Sequence, residues 1–504
     1  MTTMTIPSVK SPPAARAASP GTVTAVVCLA LAAVVAAVSS LNVALPGIAR
    51  ETHATQTQLA WIIDAYSLVF ASLLLPAGAI GDRYGRRRAL IAGLLIFGAG
   101  SAAAMTAHSP AELIGLRAVL GLGAALVMPA TLSTITGTFA AGQRTRAVSA
   151  WAAVAGASAV LGLLTAGLLL EEWSWRSVFG LNVVLAAAAI VGTSRFVPES
   201  ADTKTPRQDI VGAVLAAIGM VALVYSVIEA PSEGWLSART LAGLAAAIAV
   251  LAGFVAWERT RRVPMLDPRV FARPALAAGS LSIFVQFFAL FGFIFIVLQY
   301  LQLVRGDSGL VSAVSMLPMP AAMLPMSRLA PRLTARLGTR TACATGLALI
   351  AAAMAVLAQL TPASGYWLLA AGLLPLGAGL GLATTPATSG ITSALPASRQ
   401  GVGSALNDLS REVGGAVGIA VLASVLTSTY QSHLDVVGRA AAQIARARTS
   451  VAVAVHLGPA VAAPARLAFA DGLHLALLIA AGIATAAAIA VATILRGHAF
   501  DSAE

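Results

Sequence analysis

The sequence predicts an all-α polytopic membrane protein, and both its composition and its repeated apolar runs favour that class. Hydrophobic residues make up 58% of the chain and charged residues only 10%, with a mean hydropathy of +0.86. A soluble domain has about 45–50% apolar and about 25% charged residues. Apolar runs of about 20 residues, each long enough to cross a hydrocarbon core of about 30 Å as a helix, alternate with short polar loops. A soluble globule is therefore excluded.

Fourteen apolar runs qualify as membrane spans by their length and by the polar residues that separate them. The first run is too long to be the apolar core of a cleaved signal peptide, so we expect it to be retained. Cys28 and Cys343 both lie in predicted spans, which gives neither a disulfide framework nor a thiolate metal site. In chain order, the predicted spans are residues 22–45, 58–80, 89–107, 112–134, 148–170, 178–197, 210–229, 240–257, 275–298, 308–329, 341–360, 366–388, 402–427 and 472–495.

The formal net charge of +12 indicates a membrane topology rather than nucleic-acid binding. If the N-terminus is cytoplasmic, 22 of the 32 Lys and Arg fall in cytoplasmic segments and eight in outer segments, as the positive-inside rule requires. An even number of spans then places both termini in the cytoplasm. We expect a multi-pass protein of the cell (inner or plasma) membrane that is surrounded by membrane lipid and has no nucleic-acid partner.

Polar linkers divide the spans into groups of six, two and six. The predicted units are a cytoplasmic tail, a first six-helix bundle, a linker with two extra transmembrane helices and a second six-helix bundle, at residues 1–21, 22–199, 200–262 and 263–504. The second bundle includes a long Ala-rich outer loop, residues 429–470, which we expect to act either as a lid or as an idle loop.

A charged hairpin, GAIGDRYGRRRAL at residues 78–90, joins the second and third spans. Its glycines allow a close backbone approach and a positive φ, and its arginines hold it in the cytoplasm. A weaker copy, PRLTARLGTR at residues 331–340, follows the second span of the second bundle and has Ala335 in the place of Asp82. The chain thus contains a weak internal repeat of six spans.

The hairpin resembles the signature loop of the major facilitator superfamily, with matching residues at Gly78, Asp82, Arg83, Gly85, Arg86 and Arg87. Five further segments resemble its fourteen-span drug:proton antiporters, the EmrB/QacA-like group: LNVALP at 41–46, WIIDAY at 61–66, WSWRSVFGLN at 173–182, PMLDPRVF at 264–271 and REVGGAVGIAV at 411–421. The resemblance implies the major facilitator fold, in which two six-helix bundles flank a cavity near the membrane midplane, here with two extra central transmembrane helices. It also implies that Asp82 engages the neighbouring half when the cytoplasmic side is closed.

Two features of the sequence depart from the pattern of this group. Ala37 stands where many relatives carry an Asp, and Leu163 and Ala166 interrupt the Gly-Pro and Gly-Gly pairs of the fifth-span antiporter motif. The proton carrier is therefore sought among the few other ionisable residues within spans. Each of these costs at least about 2.5–3.5 kcal/mol to insert into a membrane and tends to face a cavity.

Asp64 in the second span and Arg117 in the fourth lie at similar depth, and we expect them to pair. We predict Asp64 as a proton carrier and Arg117 as its switchable partner. The alternative is a static buried ion pair that fixes helix packing. The segment LIGLRAVLGLGAA, residues 113–125, resembles the family's fourth-span motif, whose Arg is linked to proton transfer.

A second charged cluster lies in the thirteenth span. Asp408 and Glu412 are four residues apart on one helical face, and Arg411 flanks both. We expect this cluster to form either a second proton or cation site or a part of the gate together with Asp82.

An aromatic face and a methionine face in the ninth and tenth spans favour a binding site for lipophilic molecules. Polarizable Met and planar Phe suit adaptable binding, and a ring face attracts a cation. The alternative is that both stripes pack against neighbouring helices or lipid. The predicted cavity residues are Asn42, Phe284, Gln286, Phe288, Phe291, Phe295, Met316, Met319 and Met323.

No feature of the sequence favours an enzyme. The sequence has no Gly-rich phosphate loop and its six His are scattered, so we expect no cofactor and no metal, and we expect the proton gradient to supply the energy. We predict a secondary active multidrug exporter that exchanges protons for small lipophilic, cationic or aromatic toxic compounds by alternating access. Two alternatives are a dedicated exporter of one endogenous metabolite or antibiotic and an uncoupled sensor or scaffold. The sequence sets no oligomeric state.

Overall fold

The computed structural model of the protein describes residues 19–138, 141–200, 209–261, 264, 268–393, 400–435 and 441–495. Most of these residues are helical and none forms a β strand, as predicted for an all-α protein. We call the face where α1 ends and α2 begins the outer face, following the charge distribution of the sequence. The helices are α1 (Pro20–Thr52), α2 (Gln56–Tyr84), α3 (Arg86–Ala104), α4 (Pro110–Thr138), α5 (Ala141–Glu172), α6 (Arg176–Phe196), α7 (Ile210–Glu233), α8 (Ala238–Thr260), α9 (Pro274–Gln299), α10 (Gly309–Ser315), α11 (Pro318–Leu357), α12 (Tyr366–Ser393), α13 (Gln400–His433), α14 (Ala441–Thr449), α15 (Val451–Ala454) and α16 (Pro459–Ile494).

Several helices begin at polar residues that satisfy the free backbone groups of a helix end. Helix α2 begins after Thr55, whose hydroxyl accepts a hydrogen bond from the Gln58 backbone N–H while the Gln58 side chain accepts one from the Thr55 N–H. Asp209, Ser237 and Ser308 each accept a backbone N–H at the starts of α7, α8 and α10. These caps fix where the chain leaves a loop and enters a span.

Thirteen helical segments of the described chain are long and apolar enough to cross a membrane. The difference from the fourteen predicted spans lies in Gly309–Leu357, whose 49 residues cover the predicted spans 308–329 and 341–360. This segment is interrupted at Gly338, where φ is 82° and ψ is 154°. A helix cannot continue straight through such a residue.

Helix α12 shows that the chain reverses within this segment. A Cβ on Gly377 of α12 would lie 2.0 Å from the Met319 carbonyl oxygen, and a Cβ on Gly379 would lie 2.6 Å from that of Gly346. Met319 and Gly346 would be about 40 Å apart in one straight helix, yet they contact positions of α12 only two residues apart. Helix α11 therefore consists of two antiparallel arms, which gives the two spans that the sequence predicted.

Helix α4 holds α2 and α3 in the same way as α12 holds the two arms of α11. A Cβ on Gly121 of α4 would lie 2.5 Å from the Tyr66 carbonyl oxygen of α2. A Cβ on Gly123 would lie 2.7 Å from the Gly93 carbonyl oxygen of α3. Small residues permit this backbone-to-backbone contact, which replaces the hydrophobic effect as the force between helices in a membrane.

The two charged hairpins each turn on a glycine with positive φ. The angle is 118° at Gly85, between α2 and α3, and 82° at Gly338, between the arms of α11. Residues with a Cβ rarely adopt such angles. Aligning the two glycines places Ala335 opposite Asp82, so the structure repeats the hairpin geometry without repeating its acid.

The extra helices α7 and α8 pair with each other and lie beside both six-helix units. Gly219 of α7 packs against Leu251 of α8, and Gly243 of α8 packs against Ser226 of α7. Helix α7 also contacts α2 of the first unit and α13 of the second. The insert is thus attached at the seam between the two units.

The described part of the predicted outer loop 429–470 is mostly helical. Helix α13 continues to His433 and α16 begins at Pro459, and the short helices α14 and α15 lie between them. The Tyr430 hydroxyl donates to the Ala447 carbonyl oxygen at 2.8 Å, and Val451 and Ala454 are buried. Alanine has a high helix propensity, which a hydropathy pattern does not register. The described part of this segment is packed against the outer end of the helices.

We expect Gly121→Val to destabilise the protein, because the added side chain would meet the α2 backbone and overpacking costs about 1–3 kcal/mol. Thermal unfolding in detergent should show a lower midpoint for this variant. Gly115→Val is the matched control on the same helix, since a Cβ at Gly115 meets no atom within 4 Å. Equal midpoints for the two variants would contradict the proposed helix contact.

Candidate functional site

Asp64 is a buried carboxylate without a partner. It lies in α2 with 0% of its surface exposed, and neither of its carboxylate oxygens has a hydrogen-bond partner within the described structure. A charge that is buried without a partner is costly, and ionisable groups within membrane spans are therefore rare and tend to be functional. Asp64 is thus a group that a proton or a bound cation would satisfy.

Arg117 of α4 is also buried, but it faces Tyr66 rather than Asp64. Its Nε donates to the Ile62 carbonyl oxygen at 2.9 Å, and its guanidinium carbon lies 4.2 Å from the centre of the Tyr66 ring. Neither terminal nitrogen of Arg117 has a hydrogen-bond partner within the described structure. A cation over an aromatic face is attracted by the ring quadrupole.

The predicted ion pair between Asp64 and Arg117 is therefore wrong for this conformation. Ile62 and Tyr66 are four residues apart and share one face of α2, while Asp64 is two residues from each and points to a different side of the helix. Equal depth in the membrane predicted the pair, but depth does not fix the direction in which a side chain points.

Tyr66 is the aromatic residue of α2 that Arg117 faces. Its ring is fully buried, and its hydroxyl has no hydrogen-bond partner among the described residues. Sequence reasoning did not single out Tyr66; its place four residues after Ile62, on the face opposite Asp64, is the signal that could have found it.

The cluster of α13 is a three-residue ion network. Arg411 Nη2 lies 3.2 Å from Asp408 Oδ1, and Arg411 Nε lies 3.5 Å from Glu412 Oε1. The Arg411 guanidinium carbon lies 5.6 Å from the centre of the Phe287 ring of α9. The geometry brings the three predicted residues together. The proposed contact with Asp82 lies outside the described residues, which leave out the Asp82 side chain.

The charged hairpin is anchored on the end of α6. Arg87 Nη2 donates to the Ser194 carbonyl oxygen, and the Arg87 backbone N–H donates to Glu199 Oε1 at 3.2 Å. Glu199 also lies 3.7 Å from Arg88 Nε, and a Cβ on Gly85 would lie 2.6 Å from its carboxylate. Sequence reasoning missed Glu199, although it is the first acid after the sixth predicted span.

Three other described residues of the charged hairpin contact α4 or their own helix. Arg86 Nη1 donates to the Ser133 carbonyl oxygen of α4 at 3.1 Å, Arg83 lies 5.7 Å from the Tyr84 ring centre, and Gly78 packs against Pro129 of α4. These described contacts all lie within the first six helices.

The predicted aromatic face packs mainly against α13. A Cβ on Gly415 would lie 2.2 Å from Phe291 Cδ2, and Cβ atoms on Gly414 and Gly418 would meet the backbone at Phe284 and Phe288. Phe288 and Phe295 are buried. In this conformation helix packing, which was the alternative to a cavity wall, accounts for these residues.

The predicted methionine face likewise packs against another helix, in this case α12. Met316 and Met319 are buried, and the carbonyl oxygens of Met319 and Met323 lie against Gly377 and Gly381.

Two buried polar side chains were also predicted for the cavity. Gln286 donates to the Ser282 hydroxyl at 2.9 Å and accepts from Thr384 at 2.6 Å, whereas Asn42 Oδ1 has no partner within the described structure.

Neutral hydrogen bonds join the outer ends of the two six-helix units. Gln56 Nε2 of α2 donates to Gln299 Oε1 at the end of α9 at 3.0 Å, and both side chains are buried. Gln302 Nε2 donates to the Val43 carbonyl oxygen of α1 at 3.0 Å. The seam is therefore closed at these outer contacts.

Two repeated six-helix units, paired glycine hairpins and a few buried charges between apolar helices define a helical membrane transporter. The chain belongs to the Major Facilitator Superfamily, whose family model matches residues 27–419. The family and the fold that the sequence predicted are confirmed.

Named relatives and solved structures agree with this family. The chain is 35% identical over 400 residues to the multidrug resistance protein Stp of Mycobacterium tuberculosis, covering 78% of this chain and 74% of that protein. It is 34% identical over 420 residues to the methyl viologen resistance protein SmvA of Salmonella typhimurium, covering 83% and 85%. Its fold is similar to that of a bacterial homologue of the human lysosomal transporter Spinster in an inward-facing conformation, with a TM-score of 0.67, 16% identity and coverage of 95% and 97%.

We expect the contact between Arg117 and Tyr66 to contribute measurably to stability. Tyr66→Leu removes the ring below the guanidinium and should lower the thermal midpoint in detergent, since a buried cation–π contact contributes about 2 kcal/mol. Tyr66→Phe keeps the ring and loses only an unpartnered hydroxyl, so its midpoint should stay near that of the parent. A loss of similar size in both variants would show that the ring face contributes nothing.

Proposed function

We propose that the protein is a secondary active multidrug exporter, which removes lipophilic cationic or aromatic compounds from the cell in exchange for protons. The family supports transport by alternating access. The names of the relatives support drug-like substrates, because Stp is a multidrug resistance protein and SmvA a methyl viologen resistance protein. Methyl viologen is an aromatic dication, which belongs to the substrate class that the sequence predicted.

The observation that carries the proposal is the unpartnered carboxylate of Asp64. A proton and an organic cation each neutralise a buried carboxylate, and they cannot do so at the same time. A site that must hold one or the other exchanges them when it is exposed to the two sides of the membrane in turn. Antiport follows from this competition without any further chemical step.

The charges that lie away from the ends of α2, α4 and α13 support the same mechanism. They are three acids, Asp64, Asp408 and Glu412, and two arginines, Arg117 and Arg411. Arg411 is bound by both acids of α13, and Arg117 by a carbonyl group and a ring. One acid in this set is therefore left without a counter-charge, which is the condition for the uptake of a proton or a cation.

The missing first-span acid is consistent with a proton carrier in α2. Ala37 and Leu163 are buried and apolar, and a Cβ on Gly162 of α5 would lie 2.7 Å from the Ala36 carbonyl oxygen of α1. The α1–α5 contact is therefore tight at Gly162. The proton gradient is the energy source in this proposal, and both termini lie in the cytoplasm, as the distribution of Lys and Arg favours.

Uptake of ethidium into inside-out membrane vesicles under an imposed pH gradient tests the proposal. The native protein should accumulate ethidium, and Asp64→Asn should abolish the gradient-driven part because its amide cannot release a proton. Ethidium binding in detergent should also weaken in this variant, because the neutral amide gives the cation no counter-charge. Asp471→Asn, at an exposed position of α16, is the matched control and should behave as the parent does.

Two other results would contradict the proposal. Full transport by Asp64→Asn would move proton coupling to Glu412 or Asp408, which the same amide substitutions would then locate. Verified insertion without ethidium transport by the native protein would favour a narrow substrate range or an uncoupled function.

A further inference from the structure

The first extra helix, α7, binds both six-helix units near their outer ends. On the α2 side, Trp61 Nε1 donates to Glu229 Oε1 at 3.0 Å, and the ring centres of Trp61 and Tyr225 are 5.9 Å apart. On the α13 side, the Ser424 hydroxyl donates to the Val227 carbonyl oxygen at 2.6 Å. A stretch of α7 little more than one turn long thus connects the two units.

Helix α7 and the loop that follows it also attach to α13. The Ser424 bond is buried, and one turn further out Trp235 Nε1, in the loop after α7, donates to the Ser428 hydroxyl at 3.0 Å. On the α2 side the described structure has one direct hydrogen bond, Trp61 to Glu229. Glu229 also accepts from the Ser232 hydroxyl of its own helix at 3.3 Å.

The bond between Trp61 and Glu229 lies at the outer end, where the transport cycle requires the two six-helix units to separate. Rocking of two six-helix units opens the outer end only if α2 moves away from α13. A helix that is bonded to both cannot keep both attachments during that movement. The bond between Trp61 and Glu229 is the side-chain hydrogen bond that α2 makes to α7 within the described structure, and it lies one turn of α2 from Asp64 on the same face.

We propose that α7 is a latch on the outer end of the transport path, and that Glu229 is a positioning residue whose bond to Trp61 holds that end closed. The proposal rests on the alternating-access transport proposed above. When the outer end opens, α7 remains with α13 and releases α2. The two extra helices thereby set the population of the closed outer seam, although they do not line the path.

Labelling of a cysteine at position 427 with a membrane-impermeant maleimide, applied from the outer side, reports this population directly. Thr427 is 4% exposed and lies beside Gln56 and Tyr430 at the outer contact, and its hydroxyl bonds only to Ala423 of its own helix. The background carries Cys28→Ala and Cys343→Ala, since these are the two native cysteines and both are buried.

We expect Glu229→Leu and Trp61→Phe to accelerate labelling by about tenfold, the factor that corresponds to about 1.4 kcal/mol. Glu229→Gln should label at the parental rate, because its amide oxygen still accepts the Trp61 N–H. Combining Glu229→Leu with Trp61→Phe should give no further acceleration, since both changes break the same bond. Glu233→Leu is the matched control on α7, because Glu233 pairs with Arg239 within the insert.

Labelling of Glu229→Leu and Trp61→Phe at the parental rate would overturn the proposal. So would equal acceleration by Glu229→Gln and Glu229→Leu, because the charge and not the bond to Trp61 would then matter. The test needs no substrate and no proton gradient, so its result is independent of the outcome for Asp64→Asn. Trp61→Phe also keeps the test decisive if Glu229→Leu does not insert into the membrane.

Discussion

The absence of water from the bilayer is the constraint on which the rest of this structure depends. Every buried polar group must find its partner within the protein, and a charge without one must be neutralised. Apolar helices, caps and side-chain bonds within one helix meet much of this condition, although the Tyr66 hydroxyl and the terminal nitrogens of Arg117 are among the buried groups without a hydrogen-bond partner in the described structure. Asp64 stands out because it is a carboxylate that lacks a partner on both of its oxygens.

Two kinds of helix contact meet the same constraint: close backbone contacts within each six-helix unit, and side-chain hydrogen bonds between the two units. Within each six-helix unit, helices meet backbone to backbone at glycines such as Gly121 and Gly377, where no side chain stands between them. At the outer seam, Gln56 meets Gln299 through side-chain hydrogen bonds that other partners can replace. A transporter that rocks as two bodies needs this division, because the units must hold their shape while the seam opens.

The sequence predicted the fold well because the fold follows from patterns that are local in the chain. Apolar runs located the spans, and the glycines of the hairpin marked a turn that the structure repeats at Gly338. The helix ends beside the outer loop 429–470 differ from the predicted bounds because helix propensity and packing, which hydropathy does not measure, decide where α13 ends and α16 begins.

The candidate site was predicted less well, because a sequence gives the depth of a residue but not its neighbour. Asp64 and Arg117 were correctly placed in spans, yet Tyr66 lies nearer to the guanidinium. The Phe stripe had the right period for one helix face, but the glycines of α13 decide what that face meets. The sequence did not indicate Glu229 as a site residue, because it lies at the predicted end of the seventh span and its partner, Trp61, is 168 positions away in the chain.

Helix α2 connects the unpartnered carboxylate of Asp64 to the opening of the outer end. One of its faces is fixed to α4 through Tyr66 and Gly121, so α2 moves with the first unit. Another face carries Asp64, and the same face meets α7 through Trp61. In the proposed antiport, a proton or a cation at Asp64 therefore changes the energy of the helix whose outer contacts define the closed state. Coupling between exchange and opening then requires no long pathway, because both act on one helix within about one turn.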